Sequence, residues 1–151
     1  MKKLYNKNVK CDVCKNIIVI DNYGNGICQN CGWHQSEESF RHPNVAGIRN
    51  IPSLNNAIEQ YRKGNSALLA NFDDFVNAYK NYGEVEFTLN QTRYGVMFDD
   101  NKKKIALLNI HTGETQFYNN IDDFIHNAKL NGFLLSDIWE NVTNTDFLQN
   151  T

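Results

Sequence analysis

Four cysteines, all lying between Cys11 and Cys31, limit the folds open to this chain more than any other feature. They form two C-x-x-C pairs separated by the thirteen residues "KNIIVIDNYGNGI", so the intervening segment must fold back and bring two thiol-bearing turns together. Residues 17 to 20 are a β-branched run, residues 21 to 26 tolerate positive φ, and Ile27 leads into the second pair. This pattern predicts a short β-hairpin with a knuckle at each end. The spacing is that of a zinc ribbon, and Cys11, Cys14, Cys28 and Cys31 are the predicted ligands of one structural Zn²⁺. Four unligated buried thiols are the alternative. Disulfides are the least expected, because no run approaches the apolar length of a membrane span or a secretory signal, which points to a bacterial or phage-infected cytosol where thiols stay reduced.

Four thiolates fill a tetrahedral shell and leave no position for an activated water, so catalysis at the metal is not expected. His34, three residues past Cys31, is a further candidate ligand, but the set is complete without it. A thioredoxin-like redox site is disfavoured too, since it needs one pair at a helix N-terminus and here two pairs frame a hairpin.

The rest of the chain reads as α+β. After Pro43 and Pro52, Ser53 is a helix N-cap, and Leu54, Ala57, Ile58 and Tyr61 follow at helical spacing, predicting a helix over about 53–63. Asn71 caps a second over about 71–82, striped by Phe72, Phe75, Val76 and Tyr79 and ended by Gly83. The period then falls to two: Val85, Phe87 and Leu89 alternate with Glu84, Glu86 and Thr88. Further alternating runs predict a four-stranded antiparallel meander over about 84–119. Helices are predicted again over about 120–131 and 135–142. The expected organisation is a zinc ribbon at 1–50 and an α+β domain at 51–151. "NFDDFVNAYKNYG" and "NIDDFIHNAKLNG" match at six of thirteen places. Both carry Asn at the cap and two Asp in the first turn, which helix-start chemistry explains without a repeat.

No P-loop, zinc-protease, serine-hydrolase or dinucleotide-binding motif is present, so an enzyme is not expected. Residues 1–50 carry a formal charge of +3 and residues 51–151 of −5. A four-thiolate zinc site lowers the first figure further. Nucleic-acid binding needs a basic stripe, and only Lys102, Lys103 and Lys104 cluster, at a turn. A nucleic-acid-binding zinc ribbon is therefore the weaker alternative.

The residues "CQNCGWH" and "NIPSLNNAIEQYRKG" resemble the bacterial cysteine-rich CPCC-type zinc-ribbon family, in which a second knuckle ending in Gly-Trp precedes an Asn-x-x-Ser-Leu-x-x-Ala helix start. Here these are Cys28, Cys31, Gly32, Trp33, Asn50, Ser53, Leu54 and Ala57. The likeness covers about residues 11–63, and the first knuckle, Cys11-Asp12-Val13-Cys14, lacks the Pro and third Cys of the family pattern. It implies an accessory or toxin-immunity protein that binds rather than turns over. The abundance of Asn, 24 residues, with many Lys and Ile, is the bias of an AT-rich bacterial or phage genome. Small size, mild acidity and absent catalytic motifs also fit a phage-encoded inhibitor of host defence, such as an anti-CRISPR protein that blocks a type II CRISPR effector nuclease. This is the role expected first, with a basic protein surface as the partner. Tyr23 at the hairpin tip, Trp33 beside the second knuckle and the acidic pair Glu84 and Glu86 are the expected partner-facing residues. For Trp33 the competing expectation is a packing role over the knuckle.

Overall fold

The structure is a computed structural model and describes residues 7–148. Two small antiparallel hairpins come first. Strand β1 (Lys7–Lys10) pairs with β2 (Ile17–Ile20), and β3 (Gly26–Ile27) pairs with β4 (His34–Gln35). One knuckle sits at the turn of each. A short helix α1 (Glu37–Arg41) follows, its N-cap Ser36 accepting from the Ser39 N–H. Helix α2 (Leu54–Arg62) starts at Ser53 as the sequence pattern requires, and α3 (Phe72–Tyr82) runs from the Asn71 cap to Gly83, which takes a left-handed φ of 79° that only glycine adopts freely.

The predicted meander is present as β5 (Glu84–Leu89), β6 (Thr92–Asp99), β7 (Lys104–Asn109) and β8 (Thr115–Tyr118). The sheet is larger than that by one strand. After α4 (Ile121–Asn127), the hairpin β9 (Lys129–Leu130) and β10 (Phe133–Leu134), α5 (Leu135–Ile138) and a 3₁₀ turn (Trp139–Asn141), strand β11 (Val142–Phe147) returns to pair antiparallel with β5. The sheet order is β11-β5-β6-β7-β8.

Two expected helices are thereby corrected. The one expected over 120–131 ends at Asn127, because Asn131 and Gly132 both hold positive φ, 54° and 84°, and turn the chain into a two-residue hairpin. The one expected over 135–142 is a single α turn and a 3₁₀ turn. Val142 opens a strand instead, and a bulge between Val142 and Asn144 breaks the alternation that would have announced it.

Apolar packing forms two clusters. The larger lies between one face of the sheet and α3, α4 and Trp139. Phe75 and Phe87 meet edge to face at 5.5 Å, and Trp139 lies 4.8 Å from Phe75 and 5.2 Å from Phe87. Phe75 is wholly buried, and truncating such a ring to Ala costs about 3–5 kcal/mol. The smaller cluster joins Cys11, Val13, Ile18, Cys28 and Trp33 to Leu54, Ala57 and Ala67. Helix α2 therefore buries its stripe against the cysteine hairpins. Among the described residues no helix is long and apolar enough to cross a membrane.

Candidate metal centre

The two knuckles are built alike. In the first, the Cys11 N–H donates to Asn16 O at 2.8 Å and the Lys15 N–H to Cys11 O at 3.0 Å. In the second, the Cys28 N–H donates to Trp33 O at 2.9 Å and the Gly32 N–H to Cys28 O at 2.8 Å. Each turn reverses the chain within five residues and leaves its two thiols on the inner side. The sulfurs converge: Cys11 Sγ lies 3.6 Å from Cys31 Sγ, Cys14 Sγ lies 3.5 Å from Cys28 Sγ, and all four fall within 4.8 Å of one another. A tetrahedral ion with metal–sulfur bonds of about 2.3 Å places its sulfurs about 3.8 Å apart. The donor set and its spacing thus fit one metal ion, and none of the four thiols is in a disulfide.

Cys11 and Cys28 are buried, whereas Cys14 and Cys31 are partly exposed. Burial pushes the Cys11 and Cys31 thiols above the ordinary value, against the hydrogen bonds that their own knuckles donate to them. At Cys14 desolvation, the largest single influence, raises the thiol but is outweighed by the combined hydrogen bonds from the Asn16 backbone, the Asn30 side chain and neighbouring cysteines, and the thiol falls to about 7. A divalent ion would add the positive charge that such a set of thiolates needs.

Two polar side chains, Gln35 and Asn50, hold the hairpins together. Gln35 Oε1 accepts from the Asp12 N–H at 3.0 Å, tying β4 to the first knuckle. Buried Asn50 accepts from the His34 N–H and donates to His34 O, both at 3.0 Å, as a further strand would. The Asn50 signal was present in the Asn-x-x-Ser-Leu pattern, though its bonding role was not. The His34 side chain is exposed and stands outside the group of metal-competent ligands.

The partner-facing expectations divide. Tyr23 is 80% exposed at the hairpin tip, and Glu84 is exposed as expected. Trp33 is not: it is 0% exposed and sits inside the smaller core, so packing claims it. Its Nε1–H finds no protein acceptor there. Glu86 is also corrected. It is buried, and both its oxygens accept from Arg93 Nη2, at 2.9 and 2.7 Å. Strand alternation placed it on the outer face, but β11 covers the β5 edge and puts Asp146 directly opposite it.

Comparison of the chain with known protein families, with curated proteins and with solved structures finds no match.

Proposed function

We propose that this protein is a non-enzymatic binding module whose N-terminal hairpins are a zinc ribbon clasped by Cys11, Cys14, Cys28 and Cys31. The observation that carries the reading is the convergence of four sulfurs within 4.8 Å of one another, with no further candidate ligand among the described residues in the group. Four thiolates satisfy Zn²⁺ completely, so the ion holds structure and supplies no Lewis-acid position for a substrate. Function then falls to the surfaces that the clasp makes rigid. Inhibition of a host defence machine, of which a type II CRISPR effector is the leading case, and toxin immunity of the CPCC kind are the two roles this module would serve.

Metal analysis tests the clasp. Protein purified from zinc-replete medium should hold one zinc per chain, Cys28→Ser should hold close to none, and cobalt substitution should give the visible bands of a tetrahedral thiolate site. A metal content near zero in the native protein would remove the ribbon reading. Inhibition of target-DNA cleavage by a purified type II effector, set against protection from a co-expressed toxin, separates the two roles.

A further inference from the structure

Only one face of the five-stranded sheet looks into the larger cluster. Alternation sends Val85, Phe87, Val96, Ile105, Leu107 and Tyr118 into it, so the residues between them stand on the opposite face. An antiparallel sheet with one face in the core commonly carries polar side chains on the other. Here the centre of that second face is apolar. Met97, Ala106, Leu108, Ile110, Phe117 and Leu148 stand on it, and none of the six belongs to either apolar cluster. Ala106 is buried and the other five are half-buried. Their side chains close over Gly95 at the middle: a Cβ built there would lie 3.2 Å from Leu148 Cδ1, 3.4 Å from Met97 Cε and 3.8 Å from Ile110 Cδ1. One row of residues crosses the whole sheet. The register sets Glu84 beside Met97, Met97 beside Ala106 and Ala106 beside Phe117, and at the other end the Leu148 N–H donates to Glu84 O at 3.3 Å.

Charge on this face is divided side from side. The half with β11 and β5 carries Asp146 and the exposed Glu84, while Glu86 there is neutralised by Arg93. The half with β7 and β8 carries the exposed Lys104 and Lys102, and Lys102 Nζ lies 3.9 Å from the centre of the Phe117 ring. Asp99, at the end of β6 between the halves, accepts through Oδ1 from the turn N–H groups of Asn101 and Lys102. We infer that this face packs on the same face of a second copy of the chain, about a two-fold axis parallel to the strands and passing through β6. The inference goes beyond the binding-module reading and does not depend on it. Such an axis lays β5 of each copy over β7 of the other, and β11 over β8. Met97 then meets its own equivalent, Leu148 meets Phe117, and the acidic half of each copy meets the basic half of the other. An axis across the strands would stack acid on acid, so the charges select the first arrangement. With strands about 4.8 Å apart and a rise of about 3.4 Å per residue, the face measures about 24 by 20 Å. The two copies together cover about 1,000 Å², the low end for a specific interface, so the dimer is weak, with a Kd on the order of 10–100 µM. It presents two sets of cysteine hairpins on one particle.

Sedimentation equilibrium of the full chain, from about 1 to about 500 µM, spans such a constant and should show monomer passing to dimer. Leu108→Lys, checked for an unchanged circular dichroism spectrum, should dimerise about tenfold or more weakly, the usual loss when an interface anchor is replaced. Two exposed charges supply variants that leave both cores untouched. Glu84→Lys and Lys102→Glu should each dimerise about threefold or more weakly, because every contact occurs twice, and the double variant should recover native affinity. A chain that stays monomeric over the whole range overturns the inference. So does a dimer that the folded Leu108→Lys variant forms as well as the native chain, or a double charge variant weaker than either single one. None of these outcomes bears on zinc content or partner binding, so the binding-module reading stands or falls separately.

Discussion

Lys15 and Gly32 stand at equivalent places in the two knuckles, each four residues after the leading cysteine, and both hold left-handed backbone, with φ of 69° and 81°. Glycine does this without a steric penalty, while an L side chain there costs about 1–2 kcal/mol. Lys15→Gly should therefore stabilise the protein, by about 0.5–1 kcal/mol once the greater freedom of glycine in the unfolded chain is set against the relief. Gly32→Ala should destabilise by about 1–2 kcal/mol, since its methyl would also lie 3.2 Å from Leu68 Cδ1. Urea unfolding of both variants reads the pair, and a shift of the same sign in each would refute the equivalence of the knuckles. A second residue-scale test concerns Arg93, whose guanidinium is the cation that faces Glu86. Removing it leaves a buried carboxylate with Asp146 opposite. Arg93→Ala should cost about 1–3 kcal/mol at neutral pH, discounted toward the lower figure because the Arg93 side chain is 39% exposed. Glu86→Gln introduced into that variant should recover much of the loss, and a strictly additive double mutant would show that the pair is not coupled.

At the scale of elements, β11 is fixed as much by a side chain as by its ladder. Buried Thr145 accepts from the Ala70 N–H at 3.0 Å and donates to Leu68 O at 2.7 Å, stitching the strand to the segment between α2 and α3. Trp139 Nε1 donates to Ala70 O at 3.0 Å from the same side. Thr145→Val keeps shape and removes both bonds, leaving buried backbone groups unpaired. It should lower stability by about 1–3 kcal/mol, measured by thermal or urea unfolding, and a neutral result would mean that Leu68 and Ala70 find water. These bonds also mark where the sequence stopped being legible. Helices α2 and α3 could be read because their caps and stripes are local, and β5 through β8 because alternation there is regular. Strand β11 is bulged and polar at Thr143, Asn144 and Asp146, so its strand character comes from pairing with residues far away in the chain. The hairpin at Asn131 and Gly132 did carry a local signal, which the apolar spacing of 121–128 outweighed in the sequence reading. The clustering of the four cysteines was legible, since two C-x-x-C pairs joined by a turn-bearing segment bring their thiols together. The burial of Glu86 was not, because alternation assigns a face without saying what covers it.

The molecule as a whole has two apolar clusters with different dependence on the cysteines. The smaller includes two thiols and the stripe of α2, whereas the larger contains neither. On the proposed metal clasp, a chelator should therefore loosen residues 7–36 together with α2 and leave slow-exchanging amides in β5, β6 and β7. Backbone nuclear magnetic resonance with hydrogen exchange reads this directly, and loss of protection throughout the sheet would show that the two clusters fold as one cooperative unit. The position of β11 carries a further consequence, in time instead of space. Its partner β5 leaves the ribosome first, and the 3–10 s or so needed to make residues 90–141 at roughly 5–20 residues per second must pass before the β5 edge can be covered. Through that interval the nascent chain holds Val85, Phe87 and Leu89 on a strand edge open to any other extended chain. The charge of Glu86, which the finished protein buries against Arg93, lies in the middle of that edge and opposes such pairing until the proper strand arrives.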